Sequence, residues 1–307
     1  MLTASALALL AACGGGGGGG GTPITPSGTV TTLSGTAFSN GSADGTDAAA
    51  LFDTPQAVAV DSSGNVYVAD SANHTIRKIT PAGVVTQLAG TTGQPGSIDG
   101  NGFAANFNGP NKIAVDSSGN LYVADYNNAT IRKITSAGDV TTLAGTAGEV
   151  GSTDATGADA RFTALSGIAV DSSGNVYVSD GTTHVIRKIT PAGVVTTLAG
   201  TPVPVGENGG FADGTGAAAK FDYPQGVAVD ANGNVFVADF NNQAIRKITP
   251  AGVVTTFAGA PDNYSGADGV GAAAGITMPS GIAVGPVGSD GYIYFVSEAH
   301  TVRKISP

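Results

Sequence analysis

From residue 28 onward the chain is one unit written five times, and its two ends are complementary fragments of that unit. The unit opens as Val-Ala-Val-Asp-Ser-Ser-Gly-Asn-Val-Tyr-Val-Ala-Asp (Val58–Asp70) and closes at Gly90. Copies start at 58, 113, 168, 227 and 282, 55 residues apart except for one interval of 59. Such a period signals a solenoid, an array or a propeller. Each copy holds four runs rich in β-branched residues, with Gly and Pro only at their boundaries. Strand a (VAV) ends in an Asp-Ser-Ser-Gly-Asn turn and leads to strand b (NVYVAD). Strand c (TIRKIT) ends in a Pro-Ala-Gly turn and leads to strand d (VVTTLAG). One such sheet cannot cover both of its faces, whereas a radial array of equal sheets covers each with its neighbour. The fifth copy stops at Val302-Arg-Lys-Ile-Ser-Pro307, after strand c, and Gly28–Gly35 (GTVTTLSG) matches strand d with no a, b or c before it. The pattern predicts an all-β fold over residues 28–307: a five-bladed β-propeller of four-stranded antiparallel blades. The N-terminal strand Thr29–Ser34 is expected to complete the last blade, because closing the ring removes both open edges.

The 13 Lys and Arg against 23 Asp and Glu exclude a polyphosphate partner, and ten of the 13 are Arg-Lys pairs dealt one per copy. With a single cysteine, Cys13, no intrachain disulfide forms. Residues 1–13 read as a lipoprotein signal peptide: a short apolar run, small residues, then Leu-Ala-Ala-Cys13, which resembles the bacterial lipobox whose cysteine is acylated. The basic n-region of such a signal is missing, so an incidental cysteine in an unstructured terminus stays open as an alternative. Residues 14–27, led by Gly14–Gly21, read as a disordered tether. These features place the chain at a bacterial cell envelope, lipid-anchored on the outer-membrane or periplasmic side.

The elements Gly-Ile-Ala-Val-Asp, Gly-Asn-Val-Tyr-Val-Ala-Asp and Asn-His-x-Ile-Arg-Lys-Ile make the unit resemble the NHL repeat over nearly all of residues 28–307. Propellers of that family most often have six blades, so five departs from the norm. The resemblance implies strand a at the central channel and strand d outermost. The a–b and c–d turns are short and uniform, while the d–a segments (Thr91–Pro110, Thr201–Pro224) are long. The d–a/b–c face is therefore expected to carry the binding site, because long varied loops on a rigid scaffold do so. At the start of strand a stand Gln56, Asn111, Ser166, Gln225 and Ser280, followed by Ala57, Lys112, Gly167, Gly226 and Gly281. Lys112 is the lone charge there. After strand b, copies 2 and 4 offer Tyr126-Asn127 and Phe240-Asn241. The candidate binding residues are Gln56, Asn111, Lys112, Tyr126, Asn127, Gln225, Phe240 and Asn241; the aromatics could equally pack under a neighbouring d–a segment.

The candidate chemistries are thin. His74, His184 and His300 share one repeat position at the start of strand c, away from the axis, and the resemblance gives that histidine a turn role. This argues against a zinc site of the kind used by an amidating lyase with a related propeller. The Asp-Gly pairs of the d–a segments (Asp44, Asp99, Asp213, Asp268) offer too few carboxylates to hold Ca²⁺ well, so no cofactor is expected. They are expected instead to lead into a short Ala-rich turn whose Phe plugs a blade junction. Asp70, Asp125, Asp180 and Asp239 recur with Arg77, Arg132, Arg187 and Arg246 and are expected to pair within a blade. No nucleophile elbow, HExxH or phosphate loop occurs. The leading expectation is a monomeric, non-catalytic binding or scaffold propeller, engaging a protein or other envelope component and the membrane only through its lipid. The alternatives are a hydrolase or lyase at the channel mouth, with or without a metal's assistance, and a carbohydrate-binding module, which the absence of Trp disfavours.

Overall fold

The computed structural model describes residues 31–285 and 291–306, so Cys13, the apolar run and the glycine tether lie outside the described residues. Chain contacts separate Met1–Thr32 from Leu33–Pro307, and the second unit is the one described below. Five small antiparallel sheets follow one another along it, arranged as the blades of a five-bladed β-propeller. The second sheet is representative: strands a to d are Pro110–Val115, Leu121–Asp125, Thr130–Ile134 and Asp139–Ala144. Strand a begins at Pro55, Leu165, Pro224 and Pro279 in the others.

Alternation along each strand sends successive side chains to opposite faces. Leu121 and Val123 face the first sheet and pack with Tyr67, Ala69 and Ile113. Tyr122 and Ala124 face the third and pack with Ile168, Val176 and Val178. Each sheet is thus the middle of a sandwich. The ends of the series differ from this. Val58 is 63% exposed where Ile113, Ile168 and Val227 are 6–8% exposed, and Tyr294 is 38% exposed where Tyr122, Tyr177 and Phe236 are 2–4% exposed. The leading face of the first sheet and the trailing face of the last therefore lack the cover that the inner junctions have.

The last sheet has three strands among the described residues, Pro279–Val284, Ile293–Ser297 and Thr301–Ile305. Along its outer edge runs a groove of about 610 Å³, lined in part by Phe257, Asp268, Phe295 and Val302. The strand expected over Thr29–Ser34 begins outside the described residues, and Thr31–Ser34 carries no strand ladder. The end of that segment is described: Gly35 N–H donates to Asp47 O at 3.0 Å, as Gly90, Gly145 and Gly200, each closing a strand d, donate to Gly102, Gly157 and Gly216.

The long d–a segments first run beside the b–c turns, with Gly93 N–H on Asn73 O, Gly148 N–H on Asn128 O and Val203 N–H on Thr183 O. They then descend the outer rim, where Gly45–Thr46, Gly100–Asn101 and Gly214–Thr215 pair as a fifth strand with the beginning of strand d. A 3-10 turn then returns the chain toward strand a. Each turn follows its Asp-Gly pair as expected, with Phe107 and Phe221 buried after it, and the Asp carboxylate makes no bond to the turn. It is drawn away by the arginine of strand c. Arg132 donates to Asp125 Oδ2 (3.1 Å), Asp99 Oδ1 (2.6 Å), Asn106 O (2.8 Å) and Ile98 O (3.1 Å), with Phe107 stacked at 5.0 Å. Asp99 in turn accepts the N–H and hydroxyl of Thr142 in strand d. Arg77 and Arg246 repeat this geometry with Asp70/Asp44 and Asp239/Asp213. In the third sheet the expected Asp180–Arg187 pair does not form. Thr163 and Ala164 take Asp180, and Arg187 turns both Nε and Nη2 onto Asp154. Burial pushes Asp125 and Asp239 up to about 6, against the pull of the arginines and of Asn128 and Asn242.

At the opposite face the a–b turns close on their own aspartates. Asp61 accepts the Asn65 side chain, the backbone N–H groups of Asn65 and Ser63, and the Tyr67 hydroxyl. Those bonds, led by the Asn65 side chain, hold Asp61 below the usual carboxylate range. In Asp116 and Asp171 burial pulls the other way, but the bonds from Asn120 and Asn175 and their neighbours prevail, and both are also lowered.

Two outcomes are expected. Arg132→Met leaves Asp125 buried and unpaired and should cost about 3–5 kcal/mol in urea unfolding, while Asp99→Ala, half-exposed, should cost only about 1–2. The second outcome concerns acid. A carboxylate lowered in the folded state stabilises above its unfolded value of about 3.9 and loses that contribution as pH falls through the folded value. Asp116→Asn should therefore flatten the fall of the urea midpoint below about pH 4, measured by circular dichroism.

Candidate functional site

Strand a is the edge of each sheet farthest from the rim, and successive strands a pack on one another: Pro55–Val60 on Pro110–Val115, that on Leu165–Val170, and so to Pro279–Val284. They therefore line the axis, and their starts share one face with the b–c turns. The d–a segments pass the b–c turns on this face before they leave for the rim.

Around the axis the five starts are not equivalent. Gln56 is exposed, Ser166 is buried, and Asn111, Gln225 and Ser280 are half-buried. Asn111 Nδ2 donates to Leu165 O on the next strand a at 3.2 Å, and Asn111 Oδ1 is buried without a donor. Gly167 and Gly226 are close-packed: a Cβ on Gly167 would lie 2.4 Å from Gln225 O, and one on Gly226 2.7 Å from Ser280 O. Lys112, at the same repeat position, is half-buried, and burial alone lowers its ammonium pKa.

The b–c turns supply the aromatics. Tyr126 is 40% exposed, whereas Phe240 packs edge-on against Tyr223, ring centroids 6.2 Å apart. Asn127 and Asn241 each use one amide donor within this face. Each donates through Nδ2 to the residue two before its strand-a proline, Asn108 Oδ1 at 3.3 Å and Asp222 Oδ1 at 3.0 Å. The structure thus brings Asn111, Lys112, Tyr126 and Asn127 to one blade and Tyr223, Gln225, Phe240 and Asn241 to another.

Tyr223 was not foreseen. It precedes the strand-a proline in left-handed backbone (φ 53°), as do Thr54 (φ 52°) and Met278 (φ 44°), where the second sheet has Gly109. Non-glycine residues rarely hold that conformation, and such strain gathers at functional positions. The sequence signal was available: three large or branched residues stand where one copy carries glycine.

The histidines hold turns. His74, His184 and His300 each lie in left-handed backbone, as do Ala129 and Gln243 at the same repeat position. His74 Nδ1 accepts Gly109 N–H at 3.0 Å and His184 Nδ1 accepts Tyr223 N–H at 2.8 Å, so each ties a blade to the start of the next strand a. Among the described residues no three His, Cys, Asp or Glu are grouped to hold a metal ion.

The NHL repeat matches residues 52–79, 107–134 and 221–248, the copies with Asn73, Asn128 and Asn242 on the buried aspartate. Protein SUPPRESSOR OF QUENCHING 1, chloroplastic, of Arabidopsis thaliana is 30% identical over 203 residues, which are 60% of this chain; the chain spans only 18% of that protein's length. Among solved structures, an auxiliary nutrient binding protein from Bacteroides ovatus superposes with a TM-score of 0.59 at 21% identity, covering 82% of this chain and 59% of that one. A second, from Bacteroides thetaiotaomicron, gives 0.52 at 18% identity over 89% and 75%. Virginiamycin B lyase from Staphylococcus aureus gives 0.52 at 17% identity over 82% and 69%. At these identities the structures speak for the fold alone. Sheet topology and neighbours agree that this chain is a five-bladed β-propeller, three of whose blades match the NHL repeat.

Proposed function

We propose that this chain is a non-catalytic binding propeller that engages a protein or other envelope component through the face bearing the starts of strands a and the b–c turns. The observation that carries this reading is the contrast between the two faces. The Asp-centred a–b turns of the first three sheets close on themselves in the same way. The other face changes from blade to blade, with strained Thr54, Tyr223 and Met278 and exposed Tyr126. A scaffold needs only the repeated features; a ligand breaks the symmetry. The Bacteroides neighbours, described as auxiliary nutrient binding proteins, support a binding role. We place the chain at a bacterial envelope membrane, held by a lipid on Cys13.

Two measurements test this. In a thermal-shift screen of the full chain against soluble envelope components and nutrients, a ligand should raise Tm. Tyr126→Ala with Phe240→Ala should weaken it about tenfold, while Ser118→Ala on the opposite face should not; the reverse pattern would discard the assignment. Metabolic labelling with an alkyne fatty acid in a bacterial host should mark the native chain and not Cys13→Ala.

A further inference from the structure

Every arginine of this chain sits against a carboxylate, five lysines lie over aromatic rings, and Lys220 is exposed to solvent. Lys112 is the exception. It is half-buried at the channel mouth, and among the described residues it has no carboxylate, ring or hydrogen-bond acceptor beside it. A cation drawn from water without a partner is a cost to the fold, and it persists where something other than stability requires it.

Its setting is as unusual as its charge. Where the third and fourth sheets have Gly167 and Gly226, the next strand a comes so near that even a methyl group would collide with its backbone. The second sheet carries a lysine at this level. Asn111 bridges that junction through Nδ2 to Leu165 O. This bond leaves Asn111 Oδ1 buried and without a donor. Neighbouring residues at one junction thus carry an unneutralised ammonium and a buried, unmet amide carbonyl. An anion alone would satisfy the first and repel the second. A ligand that satisfies both carries a negative group and an O–H or N–H donor in the same molecule.

We propose that the slot between the second and third strands a, formed by Lys112 and Asn111, binds small polyhydroxylated carboxylates, with the carboxylate on the Lys112 ammonium and a hydroxyl donated to Asn111 Oδ1. This names the ligand class for the face proposed above and rests on that reading. The chain carries a formal charge of −10, so no long-range field draws an anion in; recognition is local and depends on both contacts.

The test is isothermal titration of the full chain with sodium glucuronate, with glucose and acetate as the arms lacking one contact each. Saturable glucuronate binding is expected, with glucose and acetate at least about tenfold weaker. Lys112→Met should lose about tenfold or more and Lys112→Arg should retain most of the affinity. Asn111→Ala should bring glucuronate down to the level of acetate. Equal binding by native and Lys112→Met chains, or no glucuronate binding, overturns the assignment. Should glucuronate bind but respond to Tyr126→Ala and not to Lys112→Met, this slot is wrong while the wider face stands.

Discussion

The arginine of strand c holds each blade to its rim. Arg132 has a fully buried side chain and reaches four partners: one carboxylate within its own sheet, another in the rim segment, and two rim carbonyls. A guanidinium can do this because its donors fan out in one plane, so a single buried charge ties elements 26 to 34 residues apart. Desolvating it is expensive, and the expense is met only because two aspartates and an aromatic face converge on it. The same residue explains the long d–a segments. They are long enough to travel down the rim, deliver an aspartate and two carbonyls to the arginine, and return.

Near-identity of the copies makes the departures informative. In the third copy, Thr183 replaces the asparagine that elsewhere helps hold the buried aspartate. Asp180 then turns to Thr163 and Ala164, and Arg187 puts two donors on Asp154 instead. The knot survives by redistributing its bonds. At the two ends of the series, residues that are core everywhere else, Val58 and Tyr294, are uncovered because the neighbouring sheet that buries their counterparts is not packed on them.

The two faces of the propeller follow from the same logic. Turns that bond to themselves, as at Asp61, Asp116 and Asp171, leave little to offer a ligand. The starts of strands a are different, because each must fit against the next strand a around the axis. Gly167 and Gly226 meet that demand by having no side chain, whereas Asn111 meets it by donating across the junction to Leu165 O.

Much of this was legible in the sequence. A period near 55, β-branched runs and turn residues at fixed offsets are local properties, and they determined the strands, their order and the all-β class. The buried Asp–Arg pairing was also visible in the copies where it forms, because both residues recur at a constant separation. The tertiary structure alone decided what depends on neighbours: that the Asp-Gly aspartates bind arginine, that Asn127 and Asn241 each donate to the segment before strand a, that Tyr223 stands beside Phe240, and that Asn111 Oδ1 is left unmet. Each is a competition between partners distant in the chain, and only packed distances settle which donor reaches which acceptor.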